Sequence, residues 1–413
     1  MFVAILGRLP KLSIAELEAM FGKSHVRAVS RDIATIDTDN LSIDALGGSL
    51  KCGKIIHVIP ANDRPSLEHA SHWITHTYIH QLLAVGGKIT LGISAYGLST
   101  SPRHLQKIGL SLKSSMKRHG ASLRLVPNTT TALSTATSHN NKLGLSPKKR
   151  ELFIIKTDDG AILITESNGA QNIPPYARRD RNRPRRDAFV GMLPPKLAQI
   201  MVNVAVGNAV KATILDPFCG TGTVLQEALL KGYDVCGSDL SQKMIDYTTE
   251  NIAWLQSMYH ITSTVRSLEQ ADAMTHQWPK AQQLDAVVCE TYLGQPFSAP
   301  PSPKKLHEVT GNCNHIISQF LANIRPQINP STILVVAVPA WRDHSGKFTH
   351  LPLIDQLADL GYRRLHLNLV SDDQLLYYRQ NQVVARENKK LLDGLFRVAL
   401  RKKCTMSANR RQK

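Results

Sequence analysis

The stretch LDPFCGTGTVLQEAL, residues 215–229, joins an acidic strand end, a turn with two glycines and a helical pattern. Gly220 and Gly222 let backbone N–H groups approach a ligand, and a helix N-terminus favours an anionic group. A dinucleotide fingerprint would need a third glycine at Leu225, and a P-loop would need Gly-Lys-Ser/Thr; neither is present. The pattern therefore favours a nucleotide-like ligand without a pyrophosphate, such as S-adenosylmethionine. The alternative is an ordinary glycine turn.

Two further carboxylates follow at the ends of predicted strands. Asp239 ends the next strand, where its two oxygens can accept both hydroxyls of a ribose. The alternative for Asp239 is a cap on the helix that follows it. Asp272 lies near the end of the third strand, where a side-chain oxygen could accept from an adenine amino group. These positions predict an adenosine-containing cofactor and no metal ion.

The stretch DAVVCETYLG, residues 285–294, delivers the carboxylate of Glu290 from an apolar strand into a short turn. Methylation of an exocyclic amine needs an acceptor that orients the N–H bonds and aims the nitrogen lone pair at the methyl group. Enzymes of this type usually carry Asp/Asn-Pro-Pro-aromatic, whereas Thr291 and Tyr292 replace the prolines here and Leu293 takes the aromatic position. Tyr292 could supply a ring one residue early. We predict Glu290 and Tyr292 as catalytic residues, of either a working variant or a site that now only binds.

The elements that position these residues alternate between strand and helix. The predicted helices are 194–206, 222–232, 241–257 and 311–325. The predicted strands are 212–218, 234–240, 263–273, 284–290 and 332–339. This alternation predicts a doubly wound α/β sheet with right-handed crossovers, in a domain over residues 193–402.

The chain before residue 172 predicts two smaller α+β domains. Residues 1–62 contain the predicted strands 2–7 and 53–59 and the helix 12–21, for which Ser13 and Glu16 suggest a capping box. Residues 63–171 begin with a predicted helix at 66–85. They continue with strands 88–96, 122–127, 151–157 and 161–167 and a basic helix at 103–120, whose Lys113, Lys117 and Arg118 are candidate RNA contacts.

An arginine-rich and proline-rich segment, residues 172–192, is predicted as a linker between these domains. Its six arginines are Arg178, Arg179, Arg181, Arg183, Arg185 and Arg186. One interpretation is a solvated hinge. The other is a strap that contacts phosphates, because the guanidinium group matches phosphate in a bidentate geometry. Residues 375–387 are predicted to form a closing hairpin, in which Tyr377, Arg379 and Arg386 either have a structural role or contact RNA. Residues 403–413 are predicted to form a disordered basic tail.

The composition of the chain limits the kinds of partner and the cellular compartment that we expect. The 413 residues carry a formal net charge of +18 with a pI near 9.7, which favours a polyanion; a merely basic soluble protein is the alternative. The six cysteines lie far apart, which argues against a zinc ribbon or a disulfide framework. The opening lacks a signal-peptide pattern, and no apolar run reaches the ~20 residues of a membrane span. These features predict a cytoplasmic protein.

Taken together, the motifs resemble those of the THUMP-domain tRNA guanine-N2 methyltransferases, which modify a guanosine of the D-arm. LGRLPKLSIAELEAMF is similar to the ferredoxin-like N-terminal domain of that family, and LKSSMKRHGASLRLV to its RNA-binding THUMP domain. RPRRDAFVGMLPPKLAQIMVNVA and DPFCGTGT resemble the entry to its catalytic, class I methyltransferase domain. The combination of these last two blocks is specific, whereas a lone GTG would not be.

The resemblance implies roles for individual residues. Asp239 would hold the ribose and Asp272 the adenine, and Glu290 takes the position of the catalytic aspartate. The methionine part of S-adenosylmethionine would be lined by Asp216, Phe218, Gly220, Thr221 and Gly222. The implied partner is tRNA, and some relatives need a small activating subunit. Two alternatives stay open: methylation of another base or polymer, such as adenine N6 in rRNA or DNA, and an RNA-binding protein with a residual cofactor pocket.

Overall fold

The computed structural model describes residues 1–187, 192–294, 301–342, 348–370 and 400–402. The chain forms two compact units, Met1–Tyr176 and Ala177–Lys413. The predicted hairpin at 375–387 and the predicted tail at 403–413 lie outside the described residues. Within the described part of the chain, no helix is long and apolar enough to span a membrane.

The first unit is built on one sheet of eight strands. Its helices are α1 (Pro10–Phe21), α2 (Leu67–Trp73), α3 (Ile79–Val85), α4 (Pro102–Arg118) and α5 (Thr135–Asn140), with the π-helical turn Ile74–Tyr78 joining α2 to α3. Its strands are β1 (Phe2–Leu6), β2 (Val26–Ser30), β3 (Ile33–Ile36), β4 (Ser49–Ile59), β5 (Lys88–Tyr96), β6 (Ser122–Leu125), β7 (Lys149–Lys156) and β8 (Ile162–Ala170).

The order of this sheet is β2-β3-β1-β4-β8-β7-β5-β6. The long strand β4 joins the two halves, since it pairs with β1 on one side and with β8 on the other. The sheet therefore runs through both domains predicted for residues 1–171, and their separation stays a prediction. The pair β5–β6 is parallel and leaves β6 at one edge of the sheet, with α4 packed beside it.

The capping box predicted for α1 is wrong. The helix begins at Pro10, so Ser13 and Glu16 lie inside it. The Ser13 hydroxyl donates to the Gly48 carbonyl at 2.6 Å, and the Glu16 carboxylate accepts from the N–H groups of Gly47 and Gly48 at 2.8 and 2.9 Å. Both side chains are buried and hold the turn before β4, and the Ser13 hydroxyl also donates to the Leu9 carbonyl at 3.2 Å.

The second unit contains the predicted alternation of strands and helices. Its helices are α6 (Ile173–Arg181, which begins in the first unit), α7 (Pro195–Val206), α8 (Thr223–Leu230), α9 (Gln242–Met258) and α10 (Pro303–Ile324). Its strands are β9 (Thr213–Asp216), β10 (Asp234–Asp239), β11 (Val265–Gln270), β12 (Ala286–Glu290), β13 (Ile333–Ala337), β14 (Ala340–Arg342), β15 (Phe348–His350), β16 (Tyr362–Arg364) and β17 (Leu400–Lys402).

Seven of these strands form a sheet in the order β11-β10-β9-β12-β13-β17-β16. The first five are parallel, whereas β17 is antiparallel to both of its neighbours. The chain order reverses between β9 and β12. In open α/β sheets, ligands bind outside the carboxyl ends of the strands at such a switch point.

Two predicted elements differ from the structure. The segment predicted as a linker contains the helix α6. Pro174 and Pro175 lie in the first turn of this helix, where proline is tolerated. The helix predicted at 311–325 begins earlier, at Pro303. Its N-cap is Ser302, whose hydroxyl accepts a hydrogen bond from the Lys305 N–H at 3.3 Å. Polar residues in its first two turns hide the apolar periodicity, since only Val309 and later residues are buried.

Candidate functional site

Four predicted acidic residues come together at one edge of the second sheet. Asp216, Asp239 and Glu290 are the last residues of β9, β10 and β12, and β9 is hydrogen-bonded to both of the other strands. Asp272 follows the end of β11, the neighbour of β10. Because the strands are parallel, their carboxyl ends place Asp216 and Glu290 at the switch point between β9 and β12, with Asp239 and Asp272 along the same edge.

Asp216 lies at the centre of this edge and is only 2% exposed. Burial raises its pKa well above the ordinary value, a hydrogen bond from the Phe218 N–H at 3.1 Å opposes this, and the nearby charges of Asp239 and Glu290 raise it further. The three carboxyl groups are therefore close enough to influence one another. Such a concentration of negative potential favours a ligand with a cationic centre.

Asp239 is bound on both sides by backbone donors. Its Oδ2 accepts the N–H of Gly220 at 2.9 Å and its Oδ1 accepts the N–H of Ser241 at 2.9 Å, while burial raises its pKa. Ser241, not Asp239, is the N-cap residue of α9. Since each carboxylate oxygen has a second acceptor position, Asp239 can still accept ribose hydroxyls while it holds the glycine turn in place.

The glycine turn between β9 and α8 is shaped by two left-handed residues. Gly220 has φ +50° and Gly222 has φ +81°. A Cβ on Gly220 would meet only the Phe218 carbonyl oxygen, at 4.0 Å, so a ligand can approach the backbone there. On the other side, the Thr248 hydroxyl donates to the Gly220 carbonyl at 2.7 Å. This accessible backbone beside the carboxylate of Asp239 fits a ligand such as S-adenosylmethionine.

Replacing Gly222 with alanine is expected to weaken both folding and cofactor binding. The new Cβ would lie 2.8 Å from Thr248 Cγ2, in addition to the left-handed backbone penalty of about 1–2 kcal/mol. Gly232→Ala is the matched control, because Gly232 has φ +84° but nothing within 4 Å of its Cβ position. Urea unfolding should show about 1–3 kcal/mol greater loss for Gly222→Ala. Equal losses in the two variants would contradict the close packing of the turn on α9.

Glu290 and the two residues after it form the other side of the site. Thr291 is buried, and both its N–H and its hydroxyl donate to the Ala337 carbonyl at 3.0 and 2.8 Å. These bonds fix the chain to the end of β13, where Glu290 pairs with Ala337. Tyr292 is 37% exposed, so its ring can contact a ligand. The threonine therefore holds the strand end by hydrogen bonds where related motifs carry a proline.

Asp272 is half-buried two residues beyond β11. Its Oδ1 accepts the N–H of Met274 at 2.9 Å, which closes a turn after the strand. The residue shares the sheet edge with Asp239, as predicted. Its role toward an adenine ring stays a prediction.

The six arginines of the predicted strap do not act alike. Arg179 is 7% exposed and makes a bidentate ion pair with Glu227, with Nε–Oε1 at 2.6 Å and Nη2–Oε2 at 3.1 Å. Arg183 is 3% exposed and donates to Thr223. The prediction of RNA contact is wrong for these two, because burial removes them from a polyanion. Exposed guanidinium groups are those of Arg178, Arg181, Arg185 and Arg186.

Arg185 is exposed but already paired. Its Nε lies 2.7 Å from Glu250 Oε2, and its guanidinium lies over the Tyr247 ring at 5.4 Å. Lys243 lies over the same ring at 5.3 Å and pairs with Asp187 at 3.1 Å. Arg185 and Asp187 of the arginine-rich segment are therefore held against the surface of α9 by ion pairs with Glu250 and Lys243.

Sequence reasoning missed the residue that connects this segment to the glycine turn. Asn251 is fully buried on α9; its Nδ2 donates to the carbonyls of Thr221 and Arg185 at 2.9 and 3.0 Å, and its Oδ1 accepts the Arg185 N–H at 2.9 Å. A polar residue among the buried positions of an amphipathic helix was the available signal. The sequence does not say which loops such a side chain reaches.

The basic helix of the first unit exposes its predicted cations. Lys113, Lys117 and Arg118 are exposed on α4, while the opposite face of the helix is buried. A groove of about 510 Å³ runs between α4 and β6, and its cationic lining residues are Lys88, Lys113 and Arg124. Three cationic side chains therefore line one groove beside the edge strand β6.

The strand order, the glycine turn and the acidic strand ends define a class: the second unit has the Rossmann-like fold of class I methyltransferases, as predicted from the sequence. Residues 182–319 match the family model described as the RMKL-like methyltransferase domain (UPF0020). This family match implies S-adenosylmethionine as the cofactor. Within the described residues, no group of three or more His, Cys, Asp or Glu side chains could hold a metal ion.

Curated relatives point to one kind of enzyme. The chain is 47% identical over 194 residues to a tRNA (guanine(10)-N2)-dimethyltransferase of Methanothermobacter thermautotrophicus, covering 45% of this chain and 50% of the relative. It is 36% identical over 100 residues to the enzyme of the same name from Methanocaldococcus jannaschii, covering 24% and 26%. The matches thus span half or less of these relatives, and they confirm the resemblance found in the motifs.

A solved structure covers nearly the whole chain. TrmN from Thermus thermophilus aligns with 97% of this chain and 99% of its own, at 16% identity and a TM-score of 0.46.

Proposed function

We propose that this chain is an S-adenosylmethionine-dependent methyltransferase that modifies the exocyclic N2 of a guanosine in tRNA. The position of Glu290 carries the proposal. Its carboxylate ends β12 beside the glycine turn and lies close enough to Asp216 to raise the pKa of that buried group. The names of the curated relatives support guanosine 10 as the target.

The mechanism rests on positioning. S-adenosylmethionine supplies a methyl group on a sulfonium centre. As the N–CH3 bond forms and the S–CH3 bond breaks, Glu290 would hold the guanine amine by a hydrogen bond, aim its nitrogen lone pair and take up the proton that the amine loses. The exposed ring of Tyr292 would pack against the base. Thr291 restrains the backbone between them through its two bonds to Ala337. Orientation of this kind can supply a large part of the acceleration without a metal.

Binding of tRNA follows from the exposed cations of each unit. We assign residues 1–62 to a ferredoxin-like domain and residues 63–171 to a THUMP-like RNA-binding domain, with Lys113, Lys117 and Arg118 as its phosphate contacts. In the second unit the exposed arginines Arg178, Arg181, Arg185 and Arg186 take that role. The +18 charge of the chain supports a polyanionic substrate.

Replacing Lys113, Lys117 and Arg118 together with glutamine is expected to weaken tRNA binding and its salt dependence. Each lost phosphate contact lowers the slope of log K against log salt by about 0.7–0.9. Arg27→Gln is the control, because Arg27 lies on β2 at the opposite edge of the same sheet and pairs with Asp159 at 3.2 Å. Filter binding over a salt series measures both slopes. If the triple variant shows the same slope of log K against log salt as the control, α4 does not contact the RNA.

Labelled S-adenosylmethionine and unmodified tRNA transcripts test the proposed function. After digestion, mass spectrometry should find the label in N2-methylguanosine or its dimethyl form. Label in another nucleoside, for example N6-methyladenosine, would keep the enzyme class and change the base. Absence of label, despite measured binding of both cofactor and tRNA, would support a binding protein or the need for a small activating subunit.

We also propose that the protein is cytoplasmic. The five cysteines in the described part of the chain are all free and buried, which suits a reducing compartment.

A further inference from the structure

The short turn after Glu290 is held to the rest of its domain at both ends. At one end, Thr291 donates two hydrogen bonds to the Ala337 carbonyl at the end of β13. At the other end, Gly294 has φ +83°, a left-handed conformation in which a side chain is strained. A glycine in such a turn either only relieves this strain or also admits a close neighbour. The neighbours of Gly294 decide between these two roles.

Gly294 lies against three buried side chains, which we call the Gly294 socket: Val309 and Cys313 of α10 and Trp341 of β14. A Cβ built on Gly294 would lie only 2.8 Å from Val309 Cγ1. It would also lie 3.3 Å from Cys313 Sγ and 3.8 Å from Trp341 Cζ2. The three side chains belong to one hydrophobic cluster and are 6%, 0% and 4% exposed. Because such a core is close-packed, the socket has no room for a side chain at residue 294.

Tyr292 lies between the two fixed ends of the turn. Its side chain is 37% exposed, yet burial raises the pKa of its hydroxyl and the nearby Cys313 raises it further. The hydroxyl end of the ring therefore lies near the Gly294 socket, while the side chain keeps an exposed part that a ligand can reach. Since Thr291 is fixed to β13, a displacement of Gly294 has to be taken up by Tyr292 and Leu293.

We propose that the Gly294 socket positions the ring of Tyr292 against the target base during methyl transfer. The inference rests on the proposed function, which supplies the base. The members of the socket are positioning residues, because they act on the base only through the turn. The hydrogen bonds of Thr291 and the socket together restrain a turn that two prolines stiffen in related motifs. The helix α10, for which no site residue was predicted, thereby helps to orient the target base.

Replacing Gly294 with alanine in the full-length protein tests the inference. The single-turnover rate of methyl transfer to tRNA should fall by about 10- to 100-fold, since a misplacement of about 1 Å can cost this much. Affinities for S-adenosylmethionine and for tRNA should change by less than about threefold, because the turn acts on the reacting geometry. Gly232→Ala is the matched control, since Gly232 has φ +84° but nothing within 4 Å of its Cβ position. It should keep the rate of the unsubstituted protein.

A second substitution inside the socket separates positioning from backbone strain. Val309→Ala removes Cγ1, the atom that lies closest to the new Cβ in Gly294→Ala. The double variant should therefore transfer methyl groups at least about threefold faster than Gly294→Ala alone, as expected for two residues in direct contact. The recovery should be partial, because the left-handed strain of an alanine at residue 294 remains.

Thiol labelling gives a readout that does not depend on activity. Cys313 Sγ lies beside Gly294 and is fully buried, so a displaced turn should let N-ethylmaleimide label it severalfold faster. Cys289 on β12 is equally buried and serves as the reference in the same digest. Peptide mass spectrometry measures both rates. A local displacement raises the labelling of Cys313 alone, whereas a general loss of folding raises both.

Three results would overturn the inference: a Gly294→Ala variant with the rate of Gly232→Ala, equally faster labelling of both cysteines, or no recovery in the double variant. Any of these, with normal methyl transfer by the unsubstituted protein, removes the socket and leaves the proposed function intact. If the unsubstituted protein transfers no methyl group, the proposed function fails and the inference fails with it.

Discussion

Replacing Glu290 with glutamine is expected to lower the rate of methyl transfer by about 10²- to 10³-fold while changing the affinity for S-adenosylmethionine by less than about twofold. Glutamine keeps the size of the side chain but presents a neutral amide, which is a weaker acceptor for the guanine amine. The loss should therefore appear in kcat, because the contact is strongest when the amine attacks. Single-turnover rates with saturating tRNA, together with calorimetry of the cofactor, measure the two effects separately.

Glu308→Gln is the control for this experiment, since Glu308 is an exposed residue of α10 that pairs with the exposed Lys305 at 3.1 Å. It should keep the rate of the unsubstituted protein. A Glu290→Gln variant that transfers methyl groups at the normal rate would show that the carboxylate does not hold the amine. A variant that also loses cofactor binding would place Glu290 in the cofactor site instead.

The buried pair of Arg179 and Glu227 gives the largest expected effect on stability. Replacing Arg179 with glutamine leaves a fully buried carboxylate without its bidentate partner, which costs about 3–5 kcal/mol in the free energy of unfolding. The neighbouring Arg178→Gln changes an exposed side chain and should stay within about 0.5 kcal/mol. Urea unfolding of both variants compares adjacent arginines of the same helix.

The pH dependence of the Arg179→Gln defect has a definite sign. Burial raises the pKa of Glu227 even in the presence of Arg179, which lowers it. Without the arginine the folded-state pKa rises further above the unfolded value, so the folded protein gains relative stability as the carboxylate is protonated. The deficit should therefore shrink as the pH falls through this raised pKa and be largest at neutral pH. A deficit that grows toward acid would contradict this account of the buried pair.

The sequence predicts the second unit well because local pattern and tertiary role agree there. β9, β10, β11, β12 and β13 all fall within predicted strands, and the acidic residues Asp216, Asp239 and Glu290 end their strands as expected. Buried parallel strands are read from short apolar runs, and the glycines mark the turn between them. The site follows from these elements because parallel strands bring their carboxyl ends to one edge.

Long-range contacts are the part that the sequence could not supply. The arginines of residues 178–186 look equivalent in the sequence, yet Arg179 and Arg183 are buried against α8 while Arg178 and Arg181 are exposed. The helical phase of α6 and the position of Glu227 decide that Arg179 faces inward, whereas Arg183 follows the end of α6 and is held by its hydrogen bond to Thr223. Similarly, Ser13 and Glu16 have the spacing of a capping box, but both bind backbone groups of Gly47 or Gly48, which lie 31 to 35 residues away.

The most direct test of the central claim uses tRNA that lacks the acceptor amine. Two transcripts differ only in guanosine or inosine at position 10, since inosine has no exocyclic N2. With labelled S-adenosylmethionine, we predict that the guanosine transcript accepts label and the inosine transcript does not, while both compete equally for binding. Equal labelling of the two transcripts would contradict an amine of guanosine 10 as the methyl acceptor.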